Sequence, residues 1–177
     1  REAELPGPSM PAAPGSDKST DPLTAGTPTH SSQTFEQLLS LLATSRRTID
    51  IASPNLEPAL FDEVKVIDAL ARLARNGRQS RIRILIADDT PVNLERHRLI
   101  ALARRLTSTV SLHVLCAHPE WRNQTVIISD GKRAMLLEPG RSTKRLLENP
   151  VNVSPWTDIF ARLWHASEES AELKIRY

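Results

Sequence analysis

The chain has 177 residues, of which 40% are hydrophobic, 25% charged and only seven aromatic, a composition that excludes collagen-like, disulfide-rich and wholly disordered proteins. The formal charge is +2, and the single cysteine, Cys116, rules out an internal disulfide. No apolar run approaches the roughly 18 residues that a membrane helix needs, and no basic-then-apolar leader opens the chain, so a cytoplasmic protein without membrane insertion is expected.

Residues 1–33 contain no aromatic, and eighteen of them are Pro, Gly, Ser or Thr. Such a segment cannot offset its ordering entropy and is expected to be a disordered tail or linker. The folded domain is expected over 34–177. Thr34 and Gln37 stand at capping-box spacing before Phe35, Leu38, Leu39 and Leu42, which predicts a first helix ending near Ser45. Thr48 to Ser53 reads as a strand stopped by Pro54 and Pro58. Phe61, Val64, Ile67, Leu70 and Ala74 then recur at helical spacing, and Gly77 is placed to end that helix in a left-handed cap.

Ile82 to Ala87 reads as a buried strand. Pro91 suits the first turn of a third helix with Val92, Leu99, Leu102 and Leu106 inward and Arg96, Arg98, Arg104 and Arg105 outward. Val110 to Cys116 forms a third strand, in which Cys116 is expected to be a small buried hydrophobe. Gln124–Ser129 and Arg133–Leu137 are apolar runs joined by Asp130, Gly131 and Lys132, a hairpin signal. A loop through Pro139, Gly140, Pro150 and Pro155 leads to a last helix near Thr157–Ser170 that packs through Ile159, Phe160, Leu163 and Trp164. The fold class is therefore α/β: a mixed, mostly parallel sheet with helices on both faces and a C-terminal hairpin followed by a helix.

Few residues offer chemistry. His118 opens a loop after the third strand, where such folds place sites, although a loop histidine is more often plain surface. Asp88 and Asp89 follow the second strand and could act as acid or base, or simply cap the next helix. Asp50, between Ile49 and Ile51, needs a partner or a solvated face, as a site residue or an edge feature. No histidine or cysteine cluster has metal spacing and no glycine-rich phosphate loop occurs, so no metal or cofactor is expected. Between Arg72 and Arg105 nine arginines face three acids, a stripe that could meet phosphates or serve as a solvated helix face.

The order of elements from Thr34 resembles a half-molecule of the phospholipase D superfamily, of a bacterial type. The strands Arg47–Ser53 and Arg81–Ile86, the hairpin and the closing Phe160–Trp164 segment carry the likeness. The family signature is His-x-Lys, four residues and Asp, with Gly-Ser-x-Asn beyond. Its histidine attacks phosphorus, its lysine neutralises phosphate oxygens, and two signatures from two halves face each other. With Asp130 as the motif aspartate, the histidine position falls on Asn123 and the lysine position on Thr125, and Glu138 to Gly140 stand where Gly-Ser belongs. Asparagine is no nucleophile and threonine no cation.

The resemblance therefore implies the fold while the residues argue against the reaction. It implies a catalytically inactive domain serving binding or interaction, as a homodimer or joined to a partner domain through the tail. Phosphate-bearing ligands such as nucleic acid would meet Arg122, Asn123, Thr125, Asp130 and Lys132. The alternative is a diverged phosphodiesterase or nuclease using a relocated His118 with Asp130 or Asp88. A third reading is an unrelated α/β regulatory module.

Overall fold

A computed structural model describes residues 32–87, 96–138 and 144–171. Helix α1 (Ser32–Ala43) buries Leu38, Leu41 and Leu42 on the face that the sequence pattern marks. Thr34 is buried within its first turn and is not the cap. Strand β1 (Thr48–Ser53) is followed by a single turn, α2 (Pro58–Phe61), in which Pro58 takes the first helical position. That turn breaks the expected continuous helix. Helix α3 (Val64–Ala74) starts afresh, so its core face is Val66, Leu70, Leu73 and Ala74, while Val64 is 52% exposed. It closes on Arg75 in right-handed geometry, and Gly77, at φ 151°, serves the following turn instead of the cap.

Strand β2 (Arg81–Ile86) is followed, among the described residues, by the amphipathic helix α4 (Arg98–Arg105), with Leu99, Ile100, Leu102 and Ala103 buried; it starts at Arg98 behind its cap, so Arg96 lies outside the helix in which the sequence pattern put it. The expected helix entry at Pro91 and Val92 lies outside the described residues, as do Asp88, Asp89 and nearly all of the tail expected over 1–33. His97 caps α4: its Nδ1 accepts the Leu99 N–H at 3.2 Å, and its Nε2 lies 3.0 Å from the Leu56 carbonyl oxygen. With Nδ1 accepting, Nε2 carries the proton, so the ring is neutral. Burial pushes its pKa down, against the hydrogen bond to Leu56 and the charge of Asp62.

Strand β3 (Val110–Val114) is followed by the hairpin β4 (Thr125–Ser129) and β5 (Arg133–Leu137), then β6 (Lys144–Leu147), α5 (Pro150–His165) and a short β7 (Glu168–Glu169). The sheet order is β6-β5-β4-β1-β2-β3-β7. Strands β1, β2 and β3 run parallel at its centre, and the flanking strands pair antiparallel. The mixed α/β sheet matches the sequence-based expectation, with β6 and β7 added at its edges. Helix α5 begins seven residues earlier than expected because Asn149 caps it, accepting the Val151 N–H at 2.9 Å, and Pro150 suits its first turn. Pro155 is accommodated inside it, where its missing N–H would have met the carbonyl of exposed Val151.

Alternation along the strands sends side chains to two cores. Ile49, Ile51, Ile82, Ile84, Leu112 and Met135 pack against α1, α3 and α4. Ala52, Leu85, Val126, Ile128 and Leu136 pack beneath Val153, Phe160 and Leu163 of α5. Cys116 stands outside both: it is exposed, because the strand ends at Val114 and only Leu115 turns inward.

Candidate functional site

Strand β4 separates the residues that the sequence resemblance singles out. Its five residues span roughly 14 Å at the usual rise per residue, so Asn123 and Thr125 lie at one end and Asp130 at the other. Asn123 is exposed in a left-handed conformation, φ 57°, and Arg122 beside it is also exposed. The Thr125 hydroxyl donates to Ser53 Oγ at 3.3 Å, at the carboxyl end of β1. Ser53 Oγ also accepts the Leu56 N–H at 3.1 Å, which holds Leu56 at φ 52°.

Beside them Ala52, Trp121, Gln124, Val126, Trp156 and Phe160 line a small half-open pocket of about 20 Å³. Its depth is that of a water molecule. The loop carrying Trp121 is strapped to α5 by Arg162, whose Nε and NH2 donate to the Glu120 carboxylate at 2.7 and 2.8 Å. That guanidinium holds the Glu120 carboxyl below the ordinary range. His118 lies in the same loop, half-buried, with Nδ1 accepting the Glu120 N–H at 3.1 Å.

Asp130 is occupied otherwise. Its carboxylate accepts the backbone N–H groups of Arg46, Arg47 and Thr48 at 2.8, 2.8 and 2.9 Å, and its own N–H donates to the Thr48 carbonyl at 2.9 Å. These bonds tie the hairpin to the start of β1 and compensate the positive φ of 54°. Burial alone would raise its pKa, but hydrogen bonds from Thr48, Arg46 and Arg47, together with the charge of Lys132, outweigh it and hold the carboxyl low. His118 follows the carboxyl end of β3, whereas Asp130 sits at the amino end of β1. The structure does not bring the two together. Lys132 is exposed at the Asp130 end.

Asp50 is neither an edge feature nor open to solvent. It is buried on the central strand and in register with Arg83, which closes an ion pair with it under α5. Arg83 also lies 5.0 Å from the Phe160 ring centre and 5.5 Å from that of Trp164. His113 stacks on Trp164 at 3.7 Å and pairs with the Ser167 hydroxyl at 2.8 Å. Burial lowers the His113 pKa, with Glu169 opposing and Arg83 reinforcing the shift. Sequence reasoning missed this buried polar cluster. Its signal was the placement of Asp50 and Arg83, each the third residue of a neighbouring parallel strand. Among the described residues no three His, Cys, Asp or Glu come together to hold a metal ion. Among them no helix is long and apolar enough to cross a membrane.

The fold is phospholipase D-like. NucT from Helicobacter pylori superposes with a TM-score of 0.56 at 16% identity, over 78% of this chain and 91% of its own. Nuc from Salmonella typhimurium, a phospholipase D family member, gives 0.55 at 14% identity, over 76% and 89%. TrmBL2, an archaeal chromatin protein whose structure shows a novel mode of DNA binding, gives 0.58 at 15% identity over 76% of this chain. The chain spans about half of TrmBL2, 49% of its length. No curated protein sequence matches. Residues 30–175 match the family described as Domain of unknown function (DUF7931), and the chain belongs to it.

Proposed function

We propose that this protein is a catalytically inactive phospholipase D-like module that binds phosphate-bearing polymers, with nucleic acid as its ligand. The reading is carried by Asn123 and Thr125, which stand where the resemblance puts the nucleophile and the lysine, on a sheet of phospholipase D-like fold. An amide cannot attack phosphorus, and a neutral hydroxyl bonded to Ser53 cannot neutralise a phosphate oxygen. The exposed arginines between Arg72 and Arg105 supply charge for a polyanion, whereas Arg83 is spent on Asp50 inside the sheet. TrmBL2, which shares the fold, is by its own description a DNA-binding protein.

The module works as a homodimer, or joined to a partner domain through residues 1–33. Exposed Leu146 on β6 and Val151 at the start of α5 favour a protein contact at that margin of the sheet. Sedimentation velocity tests the dimer, and a strict monomer at high micromolar concentration would sink it.

The inactive reading is tested by incubating the protein with single- and double-stranded oligonucleotides and with bis(p-nitrophenyl) phosphate. Intact substrates are expected. Cleavage that disappears in His118→Ala would overturn the proposal and put a diverged phosphodiesterase in its place.

A further inference from the structure

The candidate contacts identified from sequence divide between the two ends of the sheet, and the cations do not divide evenly. At the amino ends of the parallel strands, Arg46, Arg47 and Lys132 line an open cleft of about 480 Å³ together with Thr48 and Asp130. A second cleft of about 520 Å³ is lined by Arg72, Arg75 and Arg105 with Asp68 and Asn76. The two adjoin, because Asn76 of the second donates its side-chain amide to the Arg46 carbonyl of the first at 3.3 Å. Six cations thus meet two carboxylates, and that of Asp130 is already taken up by three backbone N–H groups.

Helix dipoles account for only part of this rim. Arg72 lies in the last turn of α3 and Arg105 in that of α4, where cations complement the partial negative charge. Arg46 and Arg47 precede β1 and Lys132 sits in the hairpin turn, so no helix end calls for them. All six are exposed, and among the described residues no ion pair holds their side chains. The charges are spread along two joined clefts instead of converging on one point. That arrangement fits successive phosphates of a polymer better than a single compact anion.

We infer that this basic rim, at the opposite end of the sheet from Asn123 and Thr125, is the surface that contacts the phosphate backbone of nucleic acid. The inference rests on the nucleic-acid reading above and assigns its location. Backbone contact of this kind is independent of sequence and governed by counterion release, so affinity falls steeply with salt. Retaining Asp130 then has a clear use: it holds the backbone under Arg46 and Arg47 at the start of β1.

The test is fluorescence polarisation of a labelled 20-mer duplex from about 50 to 200 mM salt. It compares the full chain with Arg46→Ala/Arg47→Ala/Lys132→Ala and, separately, with Arg72→Ala/Arg75→Ala. Circular dichroism checks the fold of each. Both rim variants should bind about tenfold more weakly or worse, with the log–log salt slope smaller by about 1 for each phosphate contact removed. Arg145→Ala, which removes an exposed charge on β6, should leave both quantities unchanged. Wild-type affinity retained in the rim variants but lost in Arg122→Ala would overturn the rim and keep the nucleic-acid reading. Absence of wild-type binding at the lowest salt, or binding to anionic vesicles instead, would overturn both.

Discussion

Arg83 reaches across from β2 to Asp50 on β1 and donates twice to its carboxylate, from Nε at 2.8 Å and from NH2 at 3.0 Å. The pair lies in the middle of the sheet under Phe160 and Trp164, with only 7% of the Asp50 side chain exposed. Removing one partner strands a buried charge. Asp50→Ala should therefore lower stability by about 3–5 kcal/mol in urea titration, whereas Asp50→Val combined with Arg83→Met should recover most of that loss. A single variant as stable as the wild type would show that the pair is not buried in solution.

Asp130 is expected to matter for stability and not for chemistry. Asp130→Asn keeps a residue that tolerates positive φ but weakens three charge-assisted hydrogen bonds, at a cost of about 2 kcal/mol. The folded-state pKa is lowered, so its stabilisation is complete above the unfolded value of about 3.9 and fades as pH falls through the folded one. The gap between wild type and variant should therefore be full at pH 6 and narrow below about pH 4. A gap that does not change with pH would contradict this account.

The central sheet and the hairpin were legible in the sequence because buried parallel strands are continuously apolar and Asp130-Gly131 marks its turn. Helix boundaries were less so. The repeat through Phe61 and Val64 looked continuous, yet α2 and α3 are separate, and the new start rotated Val64 into solvent. The resemblance puts Asn123, Thr125 and Asp130 at the signature positions, and the strand and turn between them were readable locally. That Asp130 holds the entry to β1 from more than eighty residues away depends on tertiary packing that no local pattern encodes.

His97 should give stability a pH slope near neutrality. Burial depresses its folded-state pKa below the unfolded value of about 6.5, so the unfolded chain binds the extra proton and stability declines as pH falls from 7 toward 5. His113, also depressed, contributes in the same direction. His97→Asn keeps a capping side chain and should flatten part of that slope in thermal melts. An unchanged slope would assign it to other groups.

Cys116 should react while the protein is folded. Its thiol is exposed, so one equivalent of Ellman's reagent is consumed without denaturant. Reaction that waits for global unfolding would place Cys116 in the core after all.

The central claim is nucleic-acid binding without cleavage, and it is tested most directly by titrating labelled single- and double-stranded oligonucleotides with the wild-type chain at two salt concentrations. The labelled strands are then run on a denaturing gel. Binding that weakens sharply with salt while every strand stays intact is the predicted result. Cleaved strands, or no binding at either salt concentration, would contradict it.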